Sequence, residues 1–262
     1  MDLGFRGEVV DCYQRYRRGY PDEVFDALAE EFSLVSDDVV LDLGCATGQL
    51  TLPMAERVRA VIGRDPEPDM VGRGRAEAVK RGLGNLTWVV GADRDVPAVG
   101  ALLGPESLAA VTIGQALHWM EPVPLFRTLR PLLRPRGGVA VINNGRPIWL
   151  YDIAWSRALR DFLERWRGRR LESTFGSEDQ ERATYREQLT EAGYTVRERS
   201  LEHSTTMDLD QVVGNVLSAL PVTELPPPDQ RATLAPQIGE ALAAHAPFTE
   251  PVRVTILAGR AH

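Results

Sequence analysis

Between residues 39 and 143, five short apolar runs alternate with segments of helical periodicity, and this constrains the fold more than any other feature. The runs are VVLDL (39–43), VRAVIGRD (58–65), LTWVVGAD (86–93), LAAVTIGQ (108–115) and GVAVIN (138–143). Residues 49–57, 67–82 and 122–133 read as helices between them, with a shorter helical turn near 97–103, and RPRGG (134–138) reads as a turn feeding the fifth run. Near-continuous apolar strands separated by helices imply a parallel sheet covered on both faces. Such sheets bind ligands beyond the carboxyl ends of the strands, where the strand order reverses. The residues leaving each strand are therefore the first candidates for a site.

The flanks complete the outline. Val24, Phe25, Leu28 and Phe32 fall at helical spacing within 22–33, and Trp155, Leu159, Phe162, Leu163 and Trp166 share one face of a later helix. A further helix is expected over 178–192, ending at Gly193, with strands at 194–203 and 252–261. Between those strands lie roughly fifty residues, too many for a hairpin loop. They carry helical patterns at 208–219 and 230–245, joined by PVTELPPPD, and are expected to pack as a cap over the sheet edge. The expected fold is α/β: a doubly wound, mostly parallel seven-stranded sheet with helical cap insertions after strands 5 and 6. No linker composition divides residues 1–262, so one domain is expected. Its parts are an N-terminal segment and helix (1–35), a ligand-binding core (36–145), a cap (146–193 and 204–250) and terminal strands (194–203 and 251–262).

Composition excludes several functions. A net charge of −7 argues against a general nucleic-acid binder, which must neutralise phosphates. Lys80 is the only lysine among 30 basic residues, a compositional bias, and RWRGRR (165–170) reads as the solvated end of a helix. No apolar stretch is long enough to span a bilayer, and the N-terminus lacks the apolar core of a signal peptide. Cys12 and Cys45 form neither a disulfide framework nor a metal-ligand spacing, and no histidine–acid grouping suggests a metal. The expectation is a cytoplasmic protein with no metal, no nucleic-acid partner and no membrane partner; its oligomeric state is not legible.

The loop Gly44-Cys45-Ala46-Thr47-Gly48, after the first strand, raises three alternatives: a dinucleotide, nucleoside phosphates, or a nucleoside without phosphates. A phosphate-cradling loop ends in Gly-Lys-Ser/Thr, and none follows. A dinucleotide fingerprint is G-x-G-x-x-G, whereas the small residues here fall as G-x-A-x-G behind an acid, Asp42. That carboxylate would repel a pyrophosphate and favour a cationic ligand. Asp65 ends the second strand about twenty residues past the first glycine, where an acid accepts from ribose hydroxyls, though this is shared with dinucleotide sites. Asp93 ends the third strand, placed to accept from an adenine amine. A cationic head, a ribose diol and an adenine amine would satisfy all three acids.

With these motifs the chain resembles the class I S-adenosylmethionine-dependent methyltransferases. The likeness is to their small-molecule branch, with enzymes similar to trans-aconitate and ubiquinone-pathway methyltransferases. YQRYRRGYP (13–21) resembles that family's N-terminal segment, VLDLGCATGQL (40–50) its glycine motif, VIGRDPEPDM (61–70) its ribose motif and GAD (91–93) its adenine motif. GQALHWM (114–120) and LLRPRGGVAVIN (132–143) resemble its fourth- and fifth-strand motifs. The resemblance implies S-adenosylmethionine as cofactor. It places the backbone of Gly44, Cys45 and Ala46 against the methionine moiety, with Gly48 letting the next helix start close by. It puts Asp65 on the ribose, Pro66 and Met70 against adenine, and Ala92 and Asp93 at the adenine edge. Gln115 and Ala116 would offer carbonyls to the amino group, while Tyr16 and Arg17 reach the carboxylate. Two departures stand out: Ala46 where glycine is usual, adding only a methyl, and Arg64 where an apolar residue is common, its side chain expected to point to solvent.

Blander roles compete with several of these. Cys45 reads as a small buried filler, Asp42 as either a cation neighbour or a cap for its own loop, and Met70 as either core or adenine platform. His118, at the exit of the fourth strand, is a general base or a residue that shapes the acceptor pocket with Trp119. His203, His245 and His262 default to the surface. Trp149 and Tyr151 either line the acceptor pocket or pack the cap, and Arg146 either pairs with a substrate carboxylate or lies on the surface. The expected function is methyl transfer to a small-molecule acceptor, an oxygen acceptor favoured, compatible with natural-product biosynthesis. The alternative is a protein that binds S-adenosylmethionine on the same fold without methylating. Asp42 and the missing third glycine speak against a nicotinamide-dependent oxidoreductase.

Overall fold

The computed structural model describes residues 4–171, 178–225 and 227–261. Helices α1 (Glu8–Tyr16) and α2 (Asp22–Phe32) precede an alternating core of β1 (Val39–Leu43), α3 (Thr51–Ala55), β2 (Ala60–Asp65), α4 (Pro68–Lys80), β3 (Leu86–Val90), α5 (Val96–Leu103), β4 (Leu108–Gly114), α6 (Pro122–Leu129) and β5 (Leu133–Asn144). Then follow α7 (Ala154–Arg167), α8 (Asp179–Glu191), β6 (Tyr194–Met207), α9 (Leu209–Ser218), α10 (Pro228–Leu242) and β7 (Phe248–Ala261). The seven strands form one sheet in the order β3-β2-β1-β4-β5-β7-β6, parallel except for β7, which runs antiparallel to both of its neighbours.

Burial explains the strand character. Every residue of β4 but its last is buried, as are the last four of β1, because helices cover both faces of these central strands. One face packs Leu41, Leu43, Val111 and Ile113 under Phe126 and Leu129 of α6, and the other packs Val40, Val61 and Ala110 under Phe25, Leu28 and Phe32 of α2. The edge strand β6 alternates between half-buried and exposed positions over much of its length. Strand order reverses between β1 and β4, since β1 pairs with both β2 and β4, and this opens a crevice at their carboxyl ends.

The fold class expected from the sequence is found, with differences in detail. The predicted helix over 49–57 shortens to the five residues of α3. RPRGG extends β5 toward its N-terminus, because Arg134 grips Asp38 with two hydrogen bonds of 2.8 Å and the ladder to β4 shifts register there. The N-terminal segment holds an unforeseen helix, α1. The cap packs on the far ends of β6 and β7, through Met207 and Phe248. The β6–β7 ribbon runs on past the carboxyl end of β5, and the cap stands there, above the crevice. It has its own core: Trp155, Leu159 and Leu163 of α7, Val212 and Val216 of α9, and Leu234, Ile238 and Leu242 of α10. Trp155 Nε1 donates to the Thr249 carbonyl at 2.8 Å, and Trp166 packs on the same core. Gly168, with φ 66°, stops α7, and an Asp208–Gln211 capping box starts α9. Residues 172–177 of the expected cap, and His262, lie outside the described residues.

Candidate functional site

A cavity opens at the carboxyl ends of β1, β2, β3 and β4, roofed by α1 and the cap. Its floor is the loop after β1. Gly44 turns with φ 70°, and Ala46 takes φ 47°, a left-handed conformation that explains the preference for glycine there and makes the alanine more than one added methyl. The amides of Gly44 and Cys45 both donate to the Arg64 carbonyl, at 2.8 and 3.0 Å. The amide of Ala46 donates to Asp65 Oδ2 at 2.9 Å, and that of Glu67 to Asp65 Oδ1 at 2.9 Å. Three successive amides of the loop are therefore committed within the protein. An anion cradle needs such amides aimed at the ligand, so this loop is not one.

Two buried carboxylates flank the floor. Asp42 accepts from Thr51 Oγ1 at 2.6 Å and Thr112 Oγ1 at 2.8 Å. Burial pushes its pKa up to about 6 against the pull of those two hydroxyls. It also accepts from the Thr51 amide at the start of α3. Burial also pushes Asp65 up to about 6, opposed by the Glu67 and Ala46 amides. Pro66, Met70, Ala92 and Asp93 line the same end, and Met70 is buried. Asp93 Oδ2 accepts from the Glu121 amide at 3.3 Å.

At the opposite end Arg17 lines the cavity. Its guanidinium lies 5.1 Å from the centroid of the Tyr13 ring and donates to the Ser218 carbonyl of α9 at 3.3 Å. Its Nε is buried without an acceptor, and burial pulls its pKa below the usual value. Gln115, with φ 55°, turns its side chain toward the end of β5, donating to the Gly145 carbonyl at 3.1 Å and accepting from Asn143 at 3.3 Å. Ala116 also lines the cavity, and its carbonyl accepts from Trp119.

His118 and Trp119 sit on a single turn of 3-10 helix after β4, their rings tilted with centroids 5.0 Å apart. Burial pushes His118 down to about 4, opposed by the charge of Glu181, so the imidazole is neutral at physiological pH. Trp119 is half exposed at the rim, and Trp149 is buried between cavity and cap core. Arg146 reaches the cavity, but its charge is matched by Glu178 at 3.0 Å. Among the described residues no group of His, Cys, Asp or Glu is arranged to hold a metal, and no helix is long and apolar enough to cross a membrane.

Several expected site residues stand elsewhere. Tyr16 packs against Gly214 of α9 and donates its hydroxyl to Asp210 at 2.9 Å; Tyr13, one turn earlier, lines the cavity instead. Gly48 is off the cavity at the entry to α3, where its carbonyl accepts from the Leu52 amide at 2.9 Å and a β-carbon would crowd Leu52 and Trp88. Tyr151 accepts from the Arg146 amide at 3.3 Å and lines a second cavity behind β5, together with His203, which is half-buried rather than on the surface. Arg64 does not reach solvent: it is 5% exposed and paired with Asp95 at 3.2 Å. Sequence reasoning missed Tyr20, Arg18 and Asn144 of the lining. Arg18 donates to the Asn144 carbonyl at 2.6 Å and pairs with the fully buried Glu250, tying the N-terminal segment to β5 and β7.

Comparison with known proteins agrees with this architecture. A methyltransferase domain model matches residues 40–137. An uncharacterized methyltransferase of Mycobacterium tuberculosis is 31% identical over 165 residues, 63% of this chain and 60% of that protein. The chain thus aligns with less than two thirds of the curated relative's length. A solved structure from Anaeromyxobacter dehalogenans shares the fold at a TM-score of 0.60 and 21% identity, covering 94% of this chain and 98% of that one. The [4+2]-cyclase SpnF shares it at 0.53 and 18% identity, over 94% and 84%. Residues 40–137 match a methyltransferase domain model, and the seven-stranded sheet built around them shares the fold of these solved structures.

Proposed function

We propose that this protein binds S-adenosylmethionine in the crevice and transfers its methyl group to a small-molecule acceptor, an oxygen nucleophile being favoured. The observation that carries the reading is the commitment of the Gly44, Cys45 and Ala46 amides inside the protein, with two buried carboxylates beside them. That floor suits a cationic nucleoside and rejects phosphates. The remaining groups fit the same ligand. Arg17, a partly buried cation with no carboxylate partner among the described ion pairs, would take the amino-acid carboxylate, its orphaned Nε gaining an acceptor. Gln115 and Ala116 border the amino group. Asp65 has lone pairs beyond those used by the two amides for ribose hydroxyls, Pro66 and Met70 flank the base, and Ala92 and Asp93 meet its edge.

When bound, the cofactor supplies a methyl group already activated on a sulfonium. The protein's task is then alignment and exclusion of water, which removes up to roughly 7–11 kcal/mol of barrier in ideal intramolecular cases. Trp119, Trp149 and the cap wall off the acceptor end, and neutral His118 stands there able to accept a proton from a hydroxyl. A cytoplasmic role in natural-product tailoring is compatible with this site.

The test is thermal unfolding with S-adenosylmethionine, its demethylated product and NADH, in wild type and Arg17→Gln. A ligand at a hundred times its dissociation constant adds about 2.7 kcal/mol. Stabilisation by both sulfur nucleosides, reduced in the variant and absent with NADH, is expected. Labelled methyl reaching no product across an acceptor screen, despite tight binding, would favour a non-methylating role on the same fold.

A further inference from the structure

Arg64 breaks the apolar pattern of a strand buried on both faces, and its guanidinium has a defined seat. Nη2 pairs with Asp95 Oδ2 at 3.2 Å, and Nη1 donates to the Asp95 carbonyl at 3.3 Å. Asp95 Oδ2 also accepts from the Ala92 amide at 2.9 Å, and the Gly91 amide donates to the Asp65 carbonyl at 2.9 Å. The segment 91–95, which carries the proposed adenine contacts, is thus braced against β2 by one side chain. The brace lies directly over Gly91: a β-carbon there would overlap Arg64 Nη2 and sit 2.8 Å from Cζ. Arg64 Nε is buried without an acceptor, and the side chain lines the cavity.

We propose that Arg64 is a positioning residue for recognition of the nucleobase, holding Ala92 and Asp93 in the shape that selects a 6-amino purine over a 6-oxo purine. Gly91 is its steric complement, since only a residue without a side chain leaves room for the guanidinium. The inference rests on the nucleoside reading of the cavity. A planar fork that bonds a carboxylate and a carbonyl of the same residue fixes the loop in position and orientation. A lysine offers a point charge and holds neither.

The experiment measures calorimetric affinity for S-adenosylhomocysteine and for its inosine analogue in wild type, Arg64→Leu and Arg64→Lys, and melting temperatures of the ligand-free Arg64→Leu, Gly91→Ala and double variants. Wild type is expected to prefer the adenosine form by about tenfold or more, the worth of one well-placed hydrogen bond. Both Arg64 variants should lose most of that preference, mainly through weaker binding of the adenosine form. Gly91→Ala should lower the melting temperature in the wild-type background and have little effect beside Arg64→Leu. An unchanged preference in folded Arg64→Leu, equal weakening of both ligands, or additive melting effects would overturn the role of Arg64 and leave the cofactor reading standing. Failure of the wild type to bind either nucleoside would overturn the cofactor reading itself, and the nucleobase role with it.

Discussion

Thr112 of β4 donates its hydroxyl to Asp42 of β1 at 2.8 Å, between residues that face each other in the parallel ladder. With Thr51 it supplies the two side-chain donors that oppose the cost of burying this carboxylate. Thr112→Val removes one donor and is expected to destabilise the protein by about 1–3 kcal/mol at pH 7. Urea unfolding measures it, and the loss should shrink at pH 5, where Asp42 carries its proton.

The same carboxylates set a pH dependence. Asp42 and Asp65 have folded pKa values of about 6, above the 3.8 of an ordinary aspartate. The folded state therefore binds more protons between those values, and stability present at low pH is lost as pH rises through about 6. Each shift corresponds to on the order of 3 kcal/mol. Ligand-free protein should unfold more readily at pH 7 than at pH 5, with a flatter profile in Asp42→Asn. A cationic nucleoside reverses the trend, its affinity rising over the same interval.

His118 is neutral from pH 5 upward. At saturating cofactor the pH profile of kcat should show no inflection near 6.5 that depends on His118, and His118→Ala should reduce turnover about tenfold, below the usual range for a tuned general base. Cofactor affinity should be unchanged. An inflection near 6.5 that vanishes in the variant would show a solvated, titrating imidazole instead.

Glu250 is fully buried on β7 and paired with Arg18. Glu250→Ala leaves that arginine's charge uncompensated and should cost about 3–5 kcal/mol in denaturant unfolding. Because Arg18 ties down the segment beside Arg17, cofactor binding should weaken as well.

Gly44 admits no side chain. A β-carbon there would overlap the Ala116 methyl, at a backbone φ of 70°. Gly44→Ala should lose about 1–3 kcal/mol of stability. Ala116→Gly should restore only part of it, since the unfavourable φ remains; calorimetric unfolding of the two single variants and the double variant separates the effects.

The strands of the core and the acids at their exits were legible because burial on both faces writes itself as continuous apolar runs ended by charge. Helix α1 was not, because EVVDCYQRY is short and polar and buries only Val9 and Val10. Its stability comes from docking on α4 and α9, through Asp69, Arg73 and Asp210. Arg64 was misread because its partner, Asp95, lies thirty-one positions away. Tyr151 was assigned by its place just past β5, whereas the turn at Gly145 sets where it faces.

Among the described residues, the cap core shares no buried residue with either face of the sheet. Substitutions in two regions without common contacts add rather than compound. On the proposed reading, drift in α7 and α10 can reshape acceptor choice while the nucleoside seat stays as it is, whereas α9, whose Ser218 carbonyl holds Arg17, belongs to that seat. The chain is organised like a tool with a fixed socket and an exchangeable head, and grafting α7 and α10 between relatives, with α9 kept, is the engineering route it invites.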